Sequence, residues 1–581
     1  MIFANIAPLE TNISPPFLIF MRLSTSSSQK YLLLLPFALL YLLYLSGHFM
    51  DIMEIDAAQY AAISKEMYEG GWWLQTYQHG QDYLDKPPLL FWTSIVAFKI
   101  FGVNNFAYRV FPVLISLLGA YATYRLARLY YEERVAYWAA LMLASCQAVI
   151  LMNHDVRTDN MLTSFVAFSL WQLAAYLKGQ QWKHLIGAFA GIGLAMLAKG
   201  PIGLIIPVLC FGPELLYRRA WGKIFDWRYL VGLMVTGLVL LPMCIGLYEQ
   251  FDMHPEKIVN GQQQVSGLKF FFWTQSFGRI TGENVWANNP DPFFLVHTTL
   301  WSFLPWSFFL VVAYIAETKA LVQALRRKEA FPELFIWAGY TLTFIALSQS
   351  KYQLNHYIYP IYSLGAVLTA KWMVRLADWS AAWQRFANAW LLFQTALLIV
   401  LAALLLWAFP EPHWAVLTAL VLGFGLCFYL FYKIKELPAK WIYVALAGGL
   451  SINVLMNLHF YPSLLQYQAE SELAKHIRLQ PAKYGSAPLS LLGEGLTRNA
   501  LNFYSNSSVP YVADWASLAA GKHWVLCNEA SKQALSGTGL QVLSTEEFFD
   551  YPITELSPEF LNPHTRAAVL RKVYLMEVEK P

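Results

Sequence analysis

Charge is scarce in this chain. Only 13% of its 581 residues are Asp, Glu, Lys or Arg, against about a quarter in soluble proteins, while 57% are hydrophobic. That shortage excludes an ordinary soluble enzyme and predicts a polytopic α-helical membrane protein. Net charge is only +4, which gives a nucleic-acid partner no electrostatic support. Cysteine is sparse as well. Cys146, Cys210, Cys244 and Cys427 fall inside apolar runs and Cys527 stands alone in the tail, so neither a disulfide framework nor a metal-ligand spacing is visible. No metal site is expected. The first twenty residues lack a basic stretch followed by a small-residue cleavage site, so a cleaved signal peptide is not expected. Met21, followed by Arg22 and Lys30, is an alternative start to Met1. There is no internal repeat of fixed period and no low-complexity tract.

What the chain has in abundance is apolar runs long enough to cross the hydrocarbon core as helix, about 15 to 25 residues. They lie near 31–49, 108–130, 135–152, 160–178, 184–198, 201–217, 229–250, 292–316, 332–348, 356–374, 389–409, 415–432 and 441–458, which predicts about thirteen transmembrane helices. The run from Pro87 to Gly102 is short, begins with Pro87-Pro88 and contains Lys99; it reads as an interfacial or re-entrant helix. Basic residues decide the sidedness, because short cytoplasmic loops collect Lys and Arg. With 1–30 inside and Pro87 to Gly102 not crossing, every short inside loop is basic, as in Arg125, Arg128 and Arg134, or Arg326, Arg327 and Lys328. A crossing at Pro87 to Gly102 would invert this for every later loop. The odd number of crossings then puts the tail outside. Residues 31–464 read as the membrane domain, with an outer juxtamembrane loop at 50–107. After about residue 465 hydropathy collapses, and 465–581 reads as a small extracytoplasmic α/β domain: strands at Ala487–Leu492, Trp524–Cys527 and Val573–Val578, helices at Glu472–Arg478 and Arg566–Arg571.

Chemistry concentrates just beyond the first apolar run. Asp51, Glu54, Asp56, Asp82, Asp85 and Lys86 crowd a stretch next to the membrane, where charge is functional by default. Ala57, Tyr60, Ala61 and Ser64 share a helical face, so a helix beginning near Asp56 is expected, with the carboxylate at its favourable end. A plain helix cap explains Asp56 equally well. Lys86 sits before Pro87-Pro88 at headgroup depth, where a lipid phosphate is a natural partner; a snorkelling lysine is the bland alternative. Trp72, Trp73 and Tyr77 read as an interfacial belt.

The runs Glu54-Ile55-Asp56-Ala57-Ala58-Gln59-Tyr60, Asp85-Lys86-Pro87-Pro88-Leu89-Leu90-Phe91-Trp92 and Arg157-Thr158-Asp159-Asn160-Met161-Leu162 occur in this order. So do Ala198-Lys199-Gly200-Pro201, Phe277-Gly278-Arg279, Leu304-Pro305-Trp306 and the stretch from Ser350 to Pro360. Together they resemble the membrane glycosyltransferases of GT-C type that include the lipid A 4-amino-4-deoxy-L-arabinose transferases and, more distantly, the protein O-mannosyltransferases. The resemblance covers about residues 30 to 465. It implies a GT-C fold of about thirteen transmembrane helices with a periplasmic tail, in a bacterial inner membrane. It implies a sugar donor on undecaprenyl phosphate or a similar polyprenyl phosphate, with lipid A or another envelope glycan as acceptor, and no cofactor.

By the same resemblance Asp56 and Asp159 match the family's catalytic carboxylates of the first and second outer loops, and Lys86 and Arg279 its phosphate-binding cations. Lys351 and His356 are weaker candidates on the same side, and Glu54, Tyr60, Asp85 and Tyr357 accompany them. Arg157 and Lys199 are weaker still; Arg157, flanked by Asp155 and Asp159, reads more readily as an ion-pair partner. A carboxylate within hydrogen-bond reach can orient and deprotonate an acceptor hydroxyl, and cations stabilise the leaving lipid phosphate. One departure matters. Aminoarabinose transferases commonly carry Asp-Glu-x-Arg-Tyr where this chain has Asp56-Ala57-Ala58-Gln59-Tyr60, which leaves sugar and acceptor open. An enzyme acting on protein hydroxyls, or a transporter of a polyprenyl-linked sugar, are the alternatives; paired half-sequences typical of transporters are absent.

Overall fold

The structure, a computed structural model, describes residues 27–259, 261–275, 278, 288, 290–485, 487–505 and 508–581. Each of the thirteen apolar runs contains helix. Among the described residues six helices are long and apolar enough to cross a membrane: Asn105–Arg128, Trp221–Asp252, Ser307–Arg327, Ala381–Ala408, Trp414–Lys433 and Ala439–Tyr467. Glu133–Ser145 and Gln147–His154 meet at 48° and make a seventh if taken as one broken span. Other runs are interrupted too. The run at 292–316 breaks at Leu304-Pro305-Trp306 into Phe294–Ser302 and Ser307–Arg327, and the run at 356–374 opens with a tight turn of helix over Asn355–Ile361 that contains Pro360. Proline explains both interruptions, since it donates no backbone hydrogen bond.

Pro87 to Gly102 yields the helix Leu89–Phe101. Thirteen residues rise about 20 Å, short of the ~30 Å hydrocarbon core. Helices elsewhere approach closely through small residues: a Cβ added at Gly119 would lie 2.9 Å from the Ser164 Cα, so the helices Asn105–Arg128 and Thr158–Gly179 touch backbone to side chain there. The helices Ala381–Ala408 and Trp414–Lys433 instead leave Leu397, Leu404, Val421 and Leu422 exposed. Apolar rows of this kind suit contact with lipid chains.

The C-terminal part is a four-stranded sheet in the order Leu489–Leu492, Gly521–Asn528, Arg571–Lys580, Gln541–Asp550. The first pair is parallel and the others antiparallel. The three expected strands are present. The fourth, Gln541–Asp550, was not expected, because its face alternates polar and exposed residues rather than apolar ones. The expected helix at 566–571 stops at Val569, since Arg571 enters the sheet opposite Asp550.

This sheet unit sits on the loop that leads to Asp56. The Ile52 amide donates to the Tyr504 hydroxyl (2.9 Å), which donates to Asn105 Oδ1 (2.8 Å). Gln468 accepts from the Glu54 amide (2.7 Å) and donates to the Ile52 carbonyl (3.1 Å). Lys475 pairs with Asp51 at 2.5 Å. Backbone polar groups that a membrane would leave unsatisfied are therefore closed off by the C-terminal unit.

Candidate active site

Asp56 opens the helix Asp56–Gly70. Ala57, Ala58, Tyr60, Ala61, Ile63 and Ser64 are buried, and the helix ends at Gly71, whose φ of 71° is the left-handed conformation that glycine adopts without strain. Asp56 does not cap this helix; no side-chain cap bond is present. Its carboxylate reaches across to Arg157, a hundred and one residues on, in a close ion pair. The plain-cap explanation of Asp56 is thereby replaced by a contact between two chain segments, the one that opens the helix Asp56–Gly70 and the one that precedes Thr158.

Arg157 also donates through Nε to Asp155 at 2.9 Å. Burial opposes its charge, but Asp155 and Asp56 more than compensate and raise its pKa, so the guanidinium stays protonated. Two residues further, Asp159 lies in the first turn of the helix Thr158–Gly179 and is 2% exposed. Its Oδ1 accepts from Lys199 at 2.5 Å, and His356 Nε2 stands 3.7 Å from its Oδ2. The Lys199 ammonium lies over the Tyr357 ring, 4.3 Å from the centroid. Lys199 ends the helix Trp182–Lys199 and His356 lies in the turn Asn355–Ile361. Four separate segments thus bring Asp56, Asp155, Arg157, Asp159, Lys199, His356 and Tyr357 together.

Tyr60 links this cluster to Lys86. Its ring is buried and lies 5.9 Å below the Lys86 ammonium. Burial first, then the nearby Asp56 charge, pushes its hydroxyl pKa well up. Lys86 lines a crevice of about 20 Å³ with Tyr83, Thr76, Met243, Phe271 and Gln275. The Tyr83 hydroxyl is enclosed and makes no hydrogen bond among the described residues. On the other side of the cluster, Asp155, Arg157 and Glu54 face a cavity of about 350 Å³ whose remaining walls are mostly apolar: Leu401, Leu405, Met456, Phe460, Ile553 and Leu556 among them. Charged groups therefore line both a small crevice, through Lys86, and a larger, mostly apolar cavity, through Glu54, Asp155 and Arg157.

The structure sorts the sequence candidates. Asp56, Asp159, Lys86, His356, Tyr60 and Tyr357 converge. Arg157 and Lys199, the weakest cations in the sequence, occupy the centre, because each answers a buried or half-buried carboxylate that sequence distance hides. Glu54 turns its carboxylate to the C-terminal unit, accepting from Thr497 Oγ1 and the Ala500 amide, both at 3.1 Å. Asp85 meets Gln275 through its backbone carbonyl. Lys351 is exposed and forms no ion pair among the described residues. Arg279 lies outside the described residues. No group of three or more His, Cys, Asp or Glu suited to a metal ion occurs among the described residues.

The chain was compared with known proteins. Residues 85–245 match the family described as dolichyl-phosphate-mannose-protein mannosyltransferase. An undecaprenyl phosphate-α-4-amino-4-deoxy-L-arabinose arabinosyl transferase of Pseudomonas aeruginosa is 30% identical over 336 residues, 57% of this chain and 56% of the relative. A similarly described transferase of Proteus mirabilis is 28% identical over 353 residues, 60% and 59% of the two chains. The matched stretch thus spans little more than half the length of these relatives. The crystal structure of ArnT from Cupriavidus metallidurans bound to undecaprenyl phosphate superposes with a TM-score of 0.69 at 18% identity, covering 95% of this chain and 98% of that one. The chain has the GT-C glycosyltransferase fold. The matched family segment, residues 85–245, contains Lys86, Asp155, Arg157, Asp159 and Lys199, five of the clustered residues. The chain is a multi-pass membrane protein.

Proposed function

We propose that this protein transfers a sugar from a polyprenyl phosphate, such as undecaprenyl phosphate, to a lipid acceptor at the outer face of a bacterial inner membrane, lipid A or another envelope glycan lipid being the acceptor class. The observation that carries the reading is the Asp56–Arg157 pair, held across two outer loops with Lys86 on one side and an apolar cavity on the other. Lys86 supplies positive charge where the lipid phosphate departs, which stabilises charge as the C1–O bond breaks. Asp56, with 32% of its side chain exposed, is the carboxylate that an acceptor hydroxyl can reach, orienting it and taking its proton. Asp159 is buried and engaged by Lys199 and His356, so its part is to fix the Lys199 ammonium and the His356 ring beside the reacting centre. An acceptor attacking from the face opposite the departing phosphate inverts the sugar carbon. These residues need no cofactor.

A protein-hydroxyl acceptor is the second reading, favoured by the mannosyltransferase family match over 85–245. The apolar walls around Leu401, Leu405 and Phe460 favour a lipid chain over a peptide. Purified protein in nanodiscs containing a sugar-linked polyprenyl phosphate separates the readings: release of free polyprenyl phosphate should require a lipid acceptor and should vanish in Asp56→Asn. Release driven by peptide and not by lipid would support the second reading. No release with either would remove the transferase reading.

A further inference from the structure

Arg109 is fully buried, 0% exposed, in the first turns of the helix Asn105–Arg128. Its guanidinium forms no ion pair among the described residues; it is met by backbone carbonyls. Nη1 donates to Met50 at 2.7 Å and more weakly to His48 and Asn105, both at 3.4 Å. Nη2 donates to Asp51 at 2.9 Å. Nε donates to His154 at 2.9 Å. The carboxylates nearest in sequence to these carbonyls are already engaged, Asp51 by Lys475 and Asp155 by Arg157.

The two groups of carbonyls belong to different loops. His48, Met50 and Asp51 lead into Asp56, while His154 leads into Asp155, Arg157 and Asp159. A buried charge is costly unless every polar group around it is satisfied, and only a planar fork of five donors can meet carbonyls from both segments at once. We propose that Arg109 is a positioning residue that fixes the spacing of the two outer loops, so that Asp56 and Arg157 meet in the geometry transfer requires. The inference rests on the transferase reading for its effect on turnover, but not for its effect on the loops.

Arg109→Lys tests it, with Arg109→Gln beside it. Lysine keeps the charge and can reach one loop, not both. Turnover per correctly folded molecule, counted after gel filtration in detergent, should fall on the order of 100-fold, the usual cost of a misplacement near 1 Å, while the donor KM stays within about 3-fold because the Lys86 crevice is untouched. A merely structural arginine would lower the folded yield and leave turnover per folded molecule unchanged, and that result would overturn the proposal. Hydrogen exchange gives a readout independent of activity. In the unaltered protein residues 48–52 and 154–157 should open as one unit, and Arg109→Lys should speed exchange in both while 133–145 stays unchanged. Independent opening of the two segments in the unaltered protein would sink the proposal even if both variants failed to fold. If the unaltered protein transfers no sugar, the transferase reading fails and the exchange result alone decides Arg109.

Discussion

The seam between the C-terminal unit and the Asp56 loop should weaken as pH rises. Glu54, Glu470 and Asp550 meet there. The Glu54 Oε2 is enclosed without a hydrogen bond among the described residues. Burial, opposed by the bonds from Ala500 and Thr497 and reinforced by Asp550, raises the Glu54 pKa from its ordinary 4.5 to about 7. Glu470, also buried and facing Asp550 and Glu54, rises to about 8, and Asp550 rises as well despite Arg571 nearby. Tyr511 faces both glutamates, and burial raises its own pKa. Between pH 4.5 and 7 the unfolded chain releases the Glu54 proton while the folded one keeps it, so stability declines through that window and stays reduced above it. A rise from 4.5 to about 7, at about 1.4 kcal/mol per unit, is on the order of 3 kcal/mol.

Glu54→Gln keeps the shape and removes the ionisation. Hydrogen-exchange protection of residues 496–504, corrected for intrinsic rates, should fall from pH 5 to pH 8 in the unaltered protein. In the variant the fall should be smaller, with protection at pH 8 up to about 100-fold higher. A variant whose protection follows the unaltered pH profile, or is lower at pH 8, would refute a buried, largely protonated Glu54.

The other perturbations act on the charged cluster and on topology. Lys86→Ala should raise the donor KM about 10-fold or more, the worth of a hydrogen bond to a charged group, with kcat changed less; an unchanged donor KM would return Lys86 to a snorkelling role. Lys199→Met leaves Asp159 buried without its partner and should cost about 3 kcal/mol of stability. Arg157→Gln leaves two carboxylates without their cation, Asp56 at 32% exposed and screened by water and Asp155 at 13%, and should destabilise as well; thermal unfolding in detergent measures both variants, and no loss in either would contradict the assigned burial. Cysteines at Gly80 and Lys328, both exposed, should label from opposite sides of the membrane with an impermeant reagent. Labelling of both from one side would remove the proposed topology.

Apolar run length made the membrane helices readable, and the helix at Asp56 begins where the carboxylate and the alanine face place it. Leu304-Pro305-Trp306 and Pro360 could have warned that two runs would break, since proline interrupts the ladder wherever it falls. The strand Gln541–Asp550 escaped because an edge strand with a solvated face carries no apolar alternation. Motif order pointed to Asp56, Asp159 and Lys86, but not to their partners. Arg157, three residues after His154, was legible as a weak phosphate-binding candidate and, more readily, as an ion-pair partner in its own acidic turn; its bond to Asp56 depends on how two loops are folded together. Arg109 carried no signal at all: an arginine near the start of an apolar helix reads as a boundary residue, and its carbonyl partners have no sequence signature. Glu470 and Asp550 were hidden likewise, because burial of a carboxylate is a property of the seam.

The central claim concerns sugar transfer at Asp56, and mass spectrometry of envelope lipids tests it most directly. Cells lacking the gene should lose one sugar mass from an acceptor lipid and accumulate the corresponding sugar-linked polyprenyl phosphate. The intact protein should restore the acceptor and Asp56→Asn, inserted to the same level, should not. Equal restoration by Asp56→Asn would contradict catalysis at Asp56 and favour transport of the polyprenyl-linked sugar instead.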